Sequence, residues 1–242
     1  MQNDDDSSAY QTFMLVVGAG RLMVDKWPDL ARYLAGPILL ALLLGWMLGG
    51  LPRDPAEAAG SHVWPWLVQT LLTAYVVLLS LRVLTGTRGP EVFRVPAEQM
   101  INFLLASLLI GLLATLGFFL LIVPGLIVLA ATIAWPVLIV EEDQGPMEAV
   151  TNSLDYVQGF LFDMILAFVA LTLTVAVADW LLATVLVDTF LTARQYQVLA
   201  TGGSFLIGVY LAALAVMVYH RRPDLHHGAA DVDDTEDDDT GQ

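Results

Sequence analysis

The chain has 242 residues, 57% of them hydrophobic and only 14% charged, with a mean hydropathy of +0.69; that is too little polar surface to coat a soluble globule of this size. The formal net charge of −15 is concentrated in Asp4, Asp5 and Asp6 and in eight acids after Pro223, so only four excess negative charges remain between them and no basic footprint supports a nucleic-acid partner. Cysteine is absent, which excludes disulfides and thiol chemistry.

Residues 1–9 read as a disordered acidic N-terminus. They lack the positive n-region of a signal peptide, so the first crossing is expected to stay in the protein as an anchor. A transmembrane helical domain is expected over residues 10–222. In its first part, residues 11–32 mix Phe13, Val16, Val17, Leu22, Met23, Trp27 and Leu30 with Arg21, Asp25, Lys26 and Asp29, a pattern suited to a helix in the headgroup layer. Gly18 and Gly20 do not open a dinucleotide-binding loop, because neither the third glycine nor a ribose-binding acid follows. The first crossing is expected at 33–51 and the second at 64–81. Between them lies a polar loop with Pro52, Arg53, Asp54 and Glu57, bordered by Trp46, Trp64 and Trp66 as an interfacial belt. Residues 84–100 return to the surface, with Arg88, Glu91, Arg94 and Glu98.

From Gln99 to Val140 no side chain is ionisable. A crossing takes roughly 20 residues, so this run must hold two. Pro124 and Gly125 are expected to form the turn between a third crossing at 101–122 and a fourth at 126–140. Proline disfavours helix in its predecessor, and glycine accepts the positive φ of a tight reversal. Pro136 is expected to kink the fourth crossing. After the acidic exit Glu141, Glu142, Asp143, a short amphipathic helix starts at Gly145 and Pro146. Met147, Val150, Leu154 and Val157 fall on one face, with Glu148, Thr151, Asn152, Asp155 and Gln158 opposite, and Gly159 is the stop. The fifth crossing is expected at 160–179 and the sixth at 198–219, with 180–197 along the outer surface. Residues 223–242 read as a disordered acidic tail.

The fold class is therefore all-α: a polytopic transmembrane bundle of six crossings in three hairpins with short amphipathic interfacial helices. Each pair of crossings follows an amphipathic segment, which hints at three similar units. With the N-terminus inside, eight basic residues (Arg21, Lys26, Arg32, Arg82, Arg88, Arg94, Arg221 and Arg222) lie on the cytoplasmic side and only Arg53 and Arg194 outside, so both termini are expected in the cytoplasm.

The run from Gly111 through Pro124 and Gly125, continued by Glu141, Gly145, Pro146, Glu148, Ala149 and Ser153 to Gly159, resembles the hallmark of the YciC-type prokaryotic membrane proteins, a group that includes the membrane portion of some glycerophosphodiester phosphodiesterases. The resemblance is best over residues 104–159. It implies a polytopic inner-membrane protein acting in envelope or lipid homeostasis. No phosphodiesterase domain is part of this sequence, so that activity does not carry over.

Asp163 and Asp179 are candidates for function because an ionisable group within a crossing is costly. They are better read as the two ends of the fifth crossing. Gln69, Asn102, Thr115, Thr132 and Thr172 are expected to bond between helices. Small residues recur at i, i+4, i+8 in Ala41-Gly45-Gly49, Ser107-Gly111-Thr115, Ala170-Thr174-Ala178 and Ser204-Gly208-Ala212, which permits close approach. His62, His220, His226 and His227 have no zinc-binding spacing. No nucleophile elbow, phosphate loop or carboxylate pair occurs, so no catalytic, cofactor or metal site is expected. The expected partners are membrane lipids and other membrane proteins. A non-enzymatic protein of lipid or envelope homeostasis is the leading reading and a small-solute transporter the alternative. They differ in whether a polar pathway crosses the bundle.

Overall fold

The computed structural model describes residues 4–48, 63–120, 122–181, 184 and 193–221. These are all-helical, with no strand among the described residues. In chain order the helices are α1 (Asp4–Asp25), α2 (Trp27–Leu48), α3 (Val63–Leu84), a 3-10 turn (Gly89–Phe93), α4 (Ala97–Leu120), α5 (Ile122–Ala131), α6 (Trp135–Glu141), α7 (Pro146–Val157), α8 (Leu161–Leu181) and α9 (Ala193–His220). Six spans are long and apolar enough to cross a membrane: Trp27–Leu44, Leu67–Leu84, Ala97–Leu120, Val123–Glu141, Leu161–Ala178 and Val198–His220. The chain is thus a multi-pass membrane protein built as an all-α bundle.

Most of the expected crossings are present with shifted ends. The N-terminal region differs more. Residues 11–32 are not one helix: α1 ends at Asp25, a turn occupies Lys26, and Trp27 already begins α2. Pro28 lacks the N–H that would continue the first helix, which explains the break. Nor does α1 present only a shallow apolar stripe, because Thr12, Leu15 and Ala19 are buried where it packs on α9 and α8. The backbone is helical from Asp4, where a disordered lead-in is expected.

The turn at Pro124 and Gly125 is also displaced. One helix ends at Leu120 and the next begins at Ile122, so Pro124 stands in the first turn of α5, where its missing N–H costs nothing. Gly125 is helical, so positive φ is not its role. Its role is close packing. A Cβ on Gly125 would lie 2.6 Å from the Phe118 ring, and one on Gly117 would lie 2.6 Å from the Gly125 backbone nitrogen.

One end of the bundle gathers the start of α2, the end of α3, the 3-10 turn, the start of α4, the end of α6, α7, the start of α8 and the end of α9. Side-chain bonds fix these together. Gly89 N–H donates to the Tyr33 hydroxyl at 2.9 Å, and the Tyr33 and Phe93 rings meet edge to face at 5.7 Å. Arg82 donates to the Arg94 carbonyl at 2.8 Å and to Gln99 Oε1 at 3.5 Å, while Gln99 Nε2 donates to the Ile139 and Val140 carbonyls at 3.2 and 3.3 Å. Glu142 Oε1 accepts from the Tyr156 and Tyr219 hydroxyls at 3.2 and 3.0 Å. The Arg221 guanidinium lies 4.3 Å from the Phe160 ring centroid. Because Arg82, Arg88, Arg94 and Arg221 belong to these segments, this is the basic end.

At the core stands α9, which touches α1, α2, α3, α6 and α7, and half of its spanning window is buried. Gly208 brings it against α3, where a Cβ would meet Val77 at 3.3 Å. Of the four small-residue series, those containing Ala41 and Ala212 reach buried positions. Gly111 faces open space, and Ala170 and Thr174 are exposed. The loop with Arg53, the side chains of the belt tryptophans Trp46, Trp64 and Trp66, most of residues 180–197 and the tail 223–242 lie outside the described residues or side chains.

Candidate functional site

The fourth span is the irregular one. α5 stops at Ala131 and α6 starts at Trp135, with a turn over residues 132–134. Pro136 expected a kink; the outcome is an interruption. The proline removes the donor that would meet the Thr132 carbonyl, which instead accepts from Trp135 N–H at a long 3.4 Å, and Ile133 N–H reaches the Ala130 carbonyl at 3.4 Å. Buried donors freed by such a break need a partner. Ser153 supplies one: its hydroxyl accepts from Ala134 N–H at 3.0 Å, and both residues are fully buried.

That contact explains the seat of α7. Gly145 precedes Pro146 at the helix start, Glu148 lies in the first turn, and Gly159 takes φ +90° beyond the C-terminus, all as the sequence predicts. The buried face is different. It is formed by Ala149, Ser153, Tyr156 and Val157, whereas Met147 and Leu154 point outward. A hydroxyl and a tyrosine are better suited to this position than a purely apolar stripe, because they must meet an open backbone N–H and the Glu142 carboxylate.

Beside the interruption lies a cavity of about 490 Å³ between α3, α4, α5, α6, α8 and α9. Gln69, Ser107, Thr132, Trp135, Gly208 and Ala212 are among its walls, and apolar atoms dominate them. Gln69 stands 13 residues before Arg82 and Gly208 12 residues before His220, which places them about 18–20 Å from the basic end at helical rise. Thr132, nine residues before Glu141, lies about 13 Å from it. A crossing spans about 30 Å, so the cavity occupies the middle of the bundle.

Three hydroxyls of this cavity share one pattern. Thr73 donates to the Gln69 carbonyl, Ser107 to the Phe103 carbonyl and Thr132 to the Val128 carbonyl, all at 2.8 Å. Each hydroxyl proton is thereby spent on its own helix, and the oxygen lone pairs remain. The interhelical bonds expected of Thr115 and Thr132 are therefore intrahelical instead; Thr115 donates to the Gly111 carbonyl at 2.6 Å. Gln69 contributes a carboxamide, with donors and an acceptor. Among the described residues, the wall contains no Asp, Glu, Lys, Arg or His.

The remaining candidates are dispersed. Asp163 lies in the first turn of α8 and borders a second crevice, of about 370 Å³, with Thr12, Thr174 and Tyr210. Asp179 is in the last turn of α8, and its side chain is outside the description. The two acids occupy opposite ends of the helix. Asn102 is half-buried and borders neither cavity. Sequence reasoning missed Gln99, whose burial and three bonds tie α3, α4 and α6; a lone glutamine heading an uncharged run was its only signal. No cluster of metal-binding side chains occurs among the described residues. No family model matches the chain, and neither a curated protein nor a solved structure matches it.

Proposed function

We propose that this protein is a non-catalytic, lipid-binding component of a prokaryotic inner membrane, acting in lipid or envelope homeostasis and related to the YciC-type group. The observation that carries the reading is the mid-bundle cavity, whose 490 Å³ and predominantly apolar walls suit a lipid-soluble guest better than a hydrated solute. Its polar lining of hydroxyls and one carboxamide is sufficient for a binding role. Mass spectrometry of the protein after gentle extraction tests this: co-purifying lipid is the expected result, and a protein carrying only water-soluble ligands overturns it.

Transport remains the second reading, favoured by the interruption at residues 132–134. Broken helices beside a midplane cavity are where transporters bind their cargo. Uptake of a small solute into vesicles containing the purified protein would favour it.

The basic end is assigned to the cytoplasm because positive residues are retained inside. Both termini are then cytoplasmic. Reporter fusions after Gly60 and at the C-terminus should read outside and inside respectively. A cysteine replacing the exposed Phe119, 89% accessible at the far end of α4, should be labelled by an impermeant thiol reagent from the outside. Fusions that report the same side refute the topology.

A further inference from the structure

We infer that the mid-bundle cavity takes a neutral lipid bearing a free hydroxyl, of the diacylglycerol or long-chain alcohol class, in preference to a phospholipid; this rests on the lipid-binding reading above and narrows it. Two features of the wall carry the inference. Among the described residues, it has no cation to meet a phosphate and no carboxylate to meet an ammonium. An ionised headgroup placed there would lose its water and gain no counter-charge, which is the costliest way to bury a lipid.

The second feature is the state of the polar groups that do line it. Thr73, Ser107 and Thr132 have given their protons to carbonyls of their own helices, so each presents only an acceptor. The Gln69 carboxamide has no protein partner among the described residues, and it presents both a donor and an acceptor. A guest hydroxyl matches this set: it donates to a spent threonine or serine oxygen, or to Gln69 Oε1, and accepts from Gln69 Nε2. An ester carbonyl accepts only, so it leaves the spent hydroxyls unmatched. The aromatic pair Phe103 and Trp135, with centroids 4.7 Å apart, and the side chains of Leu104, Ile110 and Leu129 form apolar wall for the hydrocarbon. Gly208, which brings α9 against α3, and Ala212 complete the wall with almost no side-chain volume of their own.

The test uses the full chain in mild detergent, incubated with an equimolar mixture of three lipids with the same two acyl chains. These are a diacylglycerol, its O-acetyl ester and the corresponding phosphatidic acid. Native mass spectrometry reads the retained species. The diacylglycerol is expected to exceed each of the others by about tenfold, the size of one well-made hydrogen bond at the upper end of its range. Gln69→Leu, which preserves volume, should bring diacylglycerol down to the level of its acetyl ester, and Ser107→Phe should lower all three by filling the cavity. Equal retention of phosphatidic acid, or a Gln69→Leu protein that keeps the preference, overturns the inference while leaving lipid binding intact. Retention of none of the three by the wild-type chain overturns the lipid-binding reading with it. If Ser107→Phe fails to fold, the Gln69→Leu comparison decides alone.

Discussion

The two ends of the bundle are held together by different physics. At the basic end, Gln99, Arg82, Tyr33, Glu142, Tyr156 and Tyr219 join six helices and the 3-10 turn through side-chain hydrogen bonds. Toward the far end, the described residues meet by close packing: a Cβ on Gly117 would lie 2.6 Å from the Gly125 backbone nitrogen, and one on Gly202 would meet the Leu42 side chain at 3.7 Å. Polar side chains can be specific where interfacial water also offers the unfolded segments partners. Deeper in hydrocarbon, close packing of small residues supplies the attraction, because lipid tails compete with any larger apolar side chain. The far half is thus the more sensitive to added volume, and the basic end to lost donors.

The largest expected effect breaks the far half. Gly117→Val places its Cβ against the Gly125 backbone, which cannot turn away as a side chain can, so the hairpin must separate at a cost of more than about 3 kcal/mol. Thermal unfolding in detergent should show it as loss of the cooperative transition, and a melting curve like the wild type would remove the packing argument. Next comes the basic end. Gln99→Leu strips the Ile139 and Val140 carbonyls and Arg82 of a shared buried partner, with an expected loss of about 2–3 kcal/mol. A change below that of a surface substitution would mean that water replaces the carboxamide without cost. Smallest is Ser153→Ala, which leaves Ala134 N–H buried and unpaired at about 1–2 kcal/mol. Faster amide hydrogen exchange at Ala134, with the rest of the bundle unchanged, is the sharper readout.

What sequence could and could not foretell follows from range. Spans, the helix start at Gly145 and Pro146 and the stop at Gly159 are local matters of hydropathy and backbone preference, and they were legible. Pro124 and Gly125 were misplaced by a few residues because a Pro-Gly pair fits two situations, a turn and the tight first turn of a packed helix. Only the contact with Phe118 and Gly117 distinguishes them. Ser153 was visible as part of a motif, yet its bond to Ala134 joins residues 19 apart across two helices. The cavity was least legible of all. Gln69 and Ser107 sit on two separate helices and Thr132 in the break between two more, and nothing in their spacing announces the space among them.

The length of α9 has a consequence for the membrane itself. Its apolar window of 23 residues reaches about 35 Å, more than the roughly 30 Å of a typical hydrocarbon core. α9 must therefore tilt or the bilayer must deform around it. Since α9 is the helix that α1, α2, α3, α6 and α7 all touch, a thinner or thicker bilayer presses on the centre of the protein rather than its rim. Gly208, Leu211 and Ala212 lie on that same helix, so membrane thickness bears directly on the wall of the cavity.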